Sequence, residues 1–432
     1  MANSISILSR KIFPQKAWNF LKLFYFSFYF SLVQWRYKKI VRQIRIKDKI
    51  KVVFFISHAS VWKYEDIYRL MEKHPRFEPL VVIIPFIAFG EEVMYHEMDN
   101  AYKMCCEKGY KVVSTLNKHN HQWLDVKKVI NPDIVFFHAP YHSLSKGEYF
   151  ISNFLDRLSC YVPYTFQTTF HYQQNYNGFF HNVLWRAYYP TTIHYNIAVQ
   201  FAQNKGRNVI VTGYPFIDRF LNSTSATKKI EKVKLKKNII WAPHHTIDEA
   251  GGDLHFSNFI RYHQFMVQLA VNYKNSVYIT FKPHPTLRPK LISNIWGKEK
   301  TDAYFKFWDD NDFCGLNEGN YQSLFEASDA MIHDCDSFMG EYLSLNKPVL
   351  YTRKDNRVKD RMNEFGRSAN DVHYQAKNEQ EIVSFIDEVV IAEMDRMKEV
   401  RTNWIKTQIM PPHNRTASLN IFEDLKASLN ID

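Results

Sequence analysis

Glycine and cysteine are both scarce in this chain of 432 residues, which has 13 of the first and five of the second. So little glycine argues against a repeat array or a linker-rich protein. The cysteines form no CxxC pair, so neither a zinc ribbon nor a disulfide framework is supported. A reducing compartment fits that usage. A long unbroken apolar run is also lacking. The best stretch, AWNFLKLFYFSFYFSLVQW (17–35), is interrupted by Asn19, Lys22, two serines and Gln34. A spanning helix needs about 20 apolar residues with few charges. No small-residue cleavage site follows, which argues against a secretory signal peptide.

Acidic residues are missing where basic ones are dense. Residues 1–51 hold twelve Lys/Arg and a single acid, Asp48, so nearly all of the net charge of +12 lies there. Aromatic rings favour the bilayer interface, and each Lys or Arg near an anionic leaflet contributes about 1 kcal/mol. The expectation is a basic, aromatic membrane-associating segment over 1–50. It places the chain peripherally on the cytoplasmic face of the cell membrane, at the inner leaflet. Whether 17–35 span or lie on the bilayer stays open. The bland alternative is an aromatic helix packed on the body. No RNA- or DNA-binding motif accompanies the charge, so nucleic acid is not an expected partner.

What is present reads as an α/β protein. With 46% hydrophobic and 23% charged residues the chain is globular, and its length favours two domains. Short continuous apolar runs mark strands buried on both faces of a parallel sheet. They are KVVFFI (51–56), LVVII (80–84), KVVS (111–114), DIVFFH (133–138), YTFQ (164–167) and YNIAVQ (195–200) in the first half. The second half has NVIVTG (208–213), NIIWAP (238–243), VYITFKP (277–283), AMIHD (330–334) and PVLYT (348–352). Helical stretches such as EEVMYHEMDNAYKMCCEKG alternate with them. Alternation of this kind gives doubly wound domains. Polar stretches between 200 and 235 suggest an N-terminal domain over 51–204, a C-terminal domain over 205–410 and a terminal helix over 411–432. Ligands of such sheets bind beyond the carboxyl ends of the strands, so a central cleft between the two domains is the expected site.

The residues that follow the strands carry the chemistry. They include Thr212-Gly213-Tyr214-Pro215, Pro243-His244-His245-Thr246, Lys282-Pro283-His284-Pro285 and His333-Asp334-Cys335-Asp336-Ser337. Lys282 and His284 on a turn stiffened by two prolines suit a diphosphate, because little entropy is lost on binding. Asp336 or Ser337 can cap a following helix, whose amides would attract an anion. Glu341, one turn on, is placed to accept from ribose hydroxyls. His333 to Asp336 could suggest a metal, but neighbours in a strand point to opposite sides and no partner cysteine exists, so no metal is expected. His58, after the first strand, and His138 and His142, after DIVFF, are candidates for acceptor binding.

These residues resemble a known family. VTGYPFIDRF (211–220), NIIWAPHHT, VYITFKPHP and YQSLFEASDAMIHDCDSFMGEYLSLNKPVLY (321–351) are similar to the CDP-glycerol glycerophosphotransferases of teichoic-acid and capsule polymer synthesis. The resemblance covers mainly 205–425. It implies a GT-B fold of two Rossmann-like domains, with the nucleotide donor bound by the second and the acceptor by the first. By position it implicates Gly213, His244, Lys282, Asp334, Ser337 and Glu341 in holding the donor, and His171 and His284 in catalysis. His171 stands in FQTTFHYQQ, where Tyr172 and Gln173 replace the Gly-Thr of the family's Trp-His-Gly-Thr-Pro. The implied reaction moves a glycerol-phosphate-like unit from a CDP-linked donor to a lipid-linked or glycan acceptor. It uses a nucleotide-diphosphate donor and no other cofactor. A GT-B glycosyltransferase using a UDP-, GDP- or CMP-linked sugar and a catalytically silent membrane scaffold are the alternative readings.

Overall fold

The computed structural model describes residues 15–88, 90–117, 120–222, 236–248, 254–319 and 321–431. Arg10 and Lys11 of the basic segment, and residues 223–235 of the polar boundary, lie outside them. The chain forms two compact units. The first comprises Met1–Tyr164, His171–Pro215 and Pro412–Asp432, and the second Thr165–Phe170 and Phe216–Pro411.

The first unit is built on seven parallel strands, β1 (Ile50–Ile56), β2 (Phe77–Ile83), β3 (Val112–Ser114), β4 (Ile134–Phe137), β5 (Leu158–Tyr161), β6 (Arg186–Tyr189) and β7 (Val209–Val211). Their order across the sheet is β3-β2-β1-β4-β5-β6-β7. Central β1 pairs with β2 from Ile50 opposite Phe77 to Ile56 opposite Ile83, and with β4 on its other edge. Val52 to Ile56 are at most 1% exposed. Both faces of β1 are therefore covered, which is why its sequence is continuously apolar rather than alternating. Each such side chain contributes roughly 1.5–3 kcal/mol by burial.

Helix α1 (Gln15–Arg45) lays one stripe on this unit. Phe30, Val33, Tyr37 and Ile44 are buried, at helical spacing. The Tyr37 hydroxyl lies 2.8 Å from Ser159 Oγ and donates to the Val183 carbonyl at 2.8 Å. The opposite stripe exposes Phe28, Leu32 and Trp35, followed by Arg36, Lys38, Lys39 and Arg42. Helices α2 (Glu65–Lys73), α3 (Glu91–Glu107) and α4 (Thr192–Phe201) belong to the same unit.

The second unit repeats the pattern with β8 (Lys237–Ala242), β9 (Val277–Phe281), β10 (Cys314–Leu316), β11 (Ala330–His333), β12 (Val349–Thr352) and β13 (Tyr374–Ala376). The order is β10-β9-β8-β11-β12-β13, again all parallel. Helices α5 (Phe259–Asn272) and α6 (Gly297–Asp310) pack Phe259, Met266, Phe305 and Trp308 against Trp241, Ile279 and Phe281. The segment Thr165–Phe170 joins this unit through backbone bonds from Asn363 N to Thr168 O (2.8 Å) and from Phe170 N to Arg361 O (3.2 Å). The final helix, α7 (Ala417–Leu429), returns to the first unit. There Asp424 accepts from Arg186 Nε at 3.1 Å and from the Tyr188 hydroxyl at 2.9 Å.

Some sequence expectations fail. NVIV, assigned to the second half, is β7 of the first sheet, because it pairs with β6. YNIAVQ is helical, within α4, whose N-cap Thr191 accepts from the His194 amide. YTFQ is not a strand, whereas LSCY, RAYY, CGL and YQA are.

Candidate functional site

Strands β9, β8 and β11 lie side by side in the second sheet. Parallel strands release their chains at the same edge. The loops after them, Pro243–Thr246, Lys282–Thr286 and Asp334–Ser337, therefore meet there, which is where doubly wound sheets bind ligands.

Asp334 fastens this edge. Its two carboxylate oxygens accept the backbone N–H groups of His244 and of Asn258, each at 2.6 Å. It ties the loop after β8 to the start of α5. Burial pushes its carboxyl up to about 7, against the pull of the two amides. Both oxygens are thus committed to the scaffold, and Asp334 positions His244 rather than presenting itself to a ligand. Other residues of the same motif are also structural. Lys347 donates to the carbonyls of Phe325, Glu326 and Ser328 at 2.7–2.9 Å, closing the end of a short helix. Asp329 accepts from the Asn238 amide at 2.7 Å.

Lys282 is the group with a vacant role. It is 4% exposed at the end of central strand β9. No carboxylate lies within ion-pair distance of it among the described residues, and its ammonium sits 5.9 Å above the Tyr321 ring. Burial lowers it from 10.5 to about 8, so it is still mostly charged at neutral pH. A buried cation without a counter-charge is expensive, and an anionic ligand removes that penalty.

Three imidazoles gather on the loops of the same sheet edge. The ring centroids of His244 and His245 are 4.3 Å apart, those of His245 and His284 4.2 Å, and those of His244 and His284 5.2 Å. The Thr246 hydroxyl lies 3.0 Å from His244 Nδ1. Thr286 offers its hydroxyl (2.9 Å) and its N–H (3.2 Å) to His284 Nδ1. Burial holds His244 and His245 down at about 3, so both are neutral at physiological pH. Asp336 Oδ1 is 3.5 Å from His244 Nε2. Tyr321 was not singled out from sequence, His245 and Thr246 entered only as members of a strand-end run, and Asp336 only as a helix cap. Only the folding of separate loops onto one edge brings them together.

Ser337 corrects an expectation. The helix after it, Phe338–Glu341, has only four residues, and Ser337 is itself helical with no side-chain capping bond. The side-chain cap expected there is therefore not formed. Ser337 does give its carbonyl to Thr165 Oγ1 at 3.1 Å. Glu341 is buried and accepts from the Tyr321 hydroxyl at 2.9 Å. His333 turns its Nδ1 to the Cys335 carbonyl at 3.1 Å, away from any shared ligand set with Asp334.

The remaining predicted residues belong to the first unit. Gly213 follows β7 in a left-handed conformation (φ +89°) that favours glycine. His171 is half-buried and starts the short helix Tyr172–Tyr176. At the carboxyl ends of β1 and β4, Ser57 Oγ lies 2.9 Å from His58 Nδ1 and 3.0 Å from His138 Nε2. Burial lowers His58 to about 4 and His138 to about 3. The structure thus joins His58 and His138 through a serine that sequence reading passed over. His142 is exposed against the Phe150 ring, 4.8 Å away.

Residues 187–399 match the family described as CDP-glycerol:poly(glycerophosphate) glycerophosphotransferase. No curated protein sequence matches the chain. Among solved structures, S. aureus MnaA with UDP is similar over 89% of this chain and 98% of its own, at TM-score 0.56 and 15% identity. A UDP-GlcNAc 2-epimerase from Neisseria meningitidis bound to UDP-GlcNAc is similar over 88% and 100%, at 0.53 and 16%. The wall teichoic acid polymerase TagF is similar over 89% and 90%, at 0.53 and 12%. At such identities these likenesses show the fold, two Rossmann-like domains of the GT-B type.

Proposed function

Over residues 187–399 the chain belongs to the CDP-glycerol:poly(glycerophosphate) glycerophosphotransferase family, and on that premise we propose that it transfers a polyol phosphate from a CDP-linked donor to a glycan or lipid-linked polymer acceptor in envelope or capsule synthesis. The observation that carries the donor side is Lys282, a buried ammonium with no carboxylate partner among the described residues. A nucleoside diphosphate supplies the missing charge. By the resemblance, His244, His284, Gly213 and Ser337 also bind the donor. The Glu341–Tyr321 pair faces the ribose.

The step forms one bond and breaks one. An acceptor hydroxyl attacks the phosphorus that bears the polyol, and the phosphorus–oxygen bond to CMP breaks. His171 takes the hydroxyl proton, and Lys282 and His284 stabilise charge on the transferred and leaving phosphates. His58, His138 and His142 bind the acceptor.

The exposed stripe of α1 supports reading the enzyme as a peripheral protein of the inner leaflet. Phe28, Leu32 and Trp35 enter the interface while Arg36, Lys38, Lys39 and Arg42 meet anionic headgroups. No helix among the described residues is long and apolar enough to cross a membrane. The donor reading is tested by nucleotide-dependent melting, since a ligand of the folded state stabilises it by mass action. CDP is expected to raise the melting temperature and UDP to do so far less. The reverse order would assign a UDP-linked donor, and silence to every nucleotide would assign a scaffold.

A further inference from the structure

Histidines 244, 245 and 284 offer ring nitrogens that all lie within 4.8 Å of one another. They come from two loops after adjacent strands, so the grouping is a product of the fold. His245 Nδ1 is buried and has no hydrogen-bond partner among the described residues. Such an atom is costly to leave unsatisfied. Asp336 adds a carboxylate whose Oδ1 is 3.5 Å from His244 Nε2. Two donors on one tetrahedral zinc stand ~3.3–3.5 Å apart, so that pair already has the spacing, and side-chain rotation closes the rest. Thr246 and Thr286 hold two of the rings in place, with hydroxyls at 3.0 and 2.9 Å from Nδ1 of His244 and His284.

We propose that His244, His245 and His284, completed by Asp336, form a binding site for a nitrogen-preferring divalent cation, with zinc as the best fit. Three imidazoles and one carboxylate suit zinc, whereas magnesium takes oxygen ligands and keeps its waters. His284 follows Lys282 by two residues on the same loop, so a bound cation adds positive charge at the sheet edge where the donor diphosphate is proposed. The assignment concerns metal binding and stands without the transfer reaction.

The test uses untagged full-length protein, stripped with chelator, dialysed against zinc and measured by mass spectrometry of the metal. One zinc per chain is expected, undiminished by excess magnesium. His245→Ala is expected to weaken retention by at least ~100-fold, more than loss of an outer-shell partner does. Cobalt serves as a second probe that needs no variant. A strong visible band of a four-coordinate, imidazole-rich site is expected on the wild-type chain. Substoichiometric zinc, equal retention by a folded His245→Ala chain, or only the pale spectrum of six-coordinate cobalt overturns the assignment. CDP-dependent melting of the stripped protein, measured alongside, reports on the nucleotide site separately.

Discussion

Replacing Lys282 by methionine should make the protein more stable and less able to bind nucleotide. Burial lowers this ammonium from 10.5 to about 8, and each unit corresponds to 1.36 kcal/mol, so the charged form costs the folded state about 3 kcal/mol. The sign follows from linkage. Below pH 8 the lysine is charged both folded and unfolded, and the full penalty applies. Between 8 and 10.5 the folded chain sheds the proton first and stability recovers. Above 10.5 neither state is charged. Methionine keeps the volume and removes the charge, so at pH 7 unfolding in urea should show a gain of about 3 kcal/mol. For a unit of this size that is ~6–12 °C in melting temperature. The advantage should fade as pH rises past 8. CDP affinity should fall by ~30-fold or more, the equivalent of about 2 kcal/mol for one lost charge contact. A methionine variant no more stable than wild type, or one that binds CDP as well, would refute the idea that Lys282 waits for an anion.

His171→Ala and His284→Ala are each expected to abolish polymer transfer, with CDP binding kept in the first. Near-normal turnover in either rejects its role. Lys347→Met should lose about 1.5–3 kcal/mol in urea unfolding, the worth of charge-assisted bonds to helix-end carbonyls, and leave CDP affinity unchanged. A Cβ at Gly366 would stand 2.4 Å from the Thr168 carbonyl oxygen. Gly366→Ala should therefore destabilise by ~1–3 kcal/mol, and an unchanged midpoint would contradict that packing. Leu32→Ser combined with Trp35→Ser touches only exposed positions and should cut sedimentation with anionic vesicles several-fold. Undiminished pelleting would remove α1 from the membrane reading.

The sheets were legible because their central strands are covered on both faces. KVVFFI, NIIWAP and VYITFKP cannot be anything but buried, and the alternation with helices then implies the winding. Edge strands carry weaker signals: RAYY and YQA are short, partly polar runs whose pairing is decided by neighbours far along the chain. YNIAVQ illustrates the ambiguity of a short apolar run. Its length suits a strand, and only the Thr191 cap, four residues upstream, tips it to helix. The return of α7 to the first unit had no local cue, since Asp424 finds Arg186 and Tyr188 more than 230 positions away.

At the candidate site, the strand-end rule picked out loops that the fold brings to one edge, those of Lys282, His244 and His284. What it could not distinguish was scaffold from ligand-facing groups. Asp334 and Lys347 look functional as motif residues, yet their polar atoms are occupied by backbone partners. His245 was given no role of its own for the opposite reason. Its significance lies in the distance to His284, which belongs to a different loop and is fixed only by the pairing of β8 with β9.

Phosphorus NMR of the protein incubated with CDP-glycerol and a lipid-linked or glycan acceptor tests the central claim most directly, because it identifies which bond breaks. The account predicts acceptor-dependent release of CMP together with a new phosphodiester signal on the acceptor. Release of CDP, or turnover of a UDP-linked sugar with no CMP formed, would contradict it.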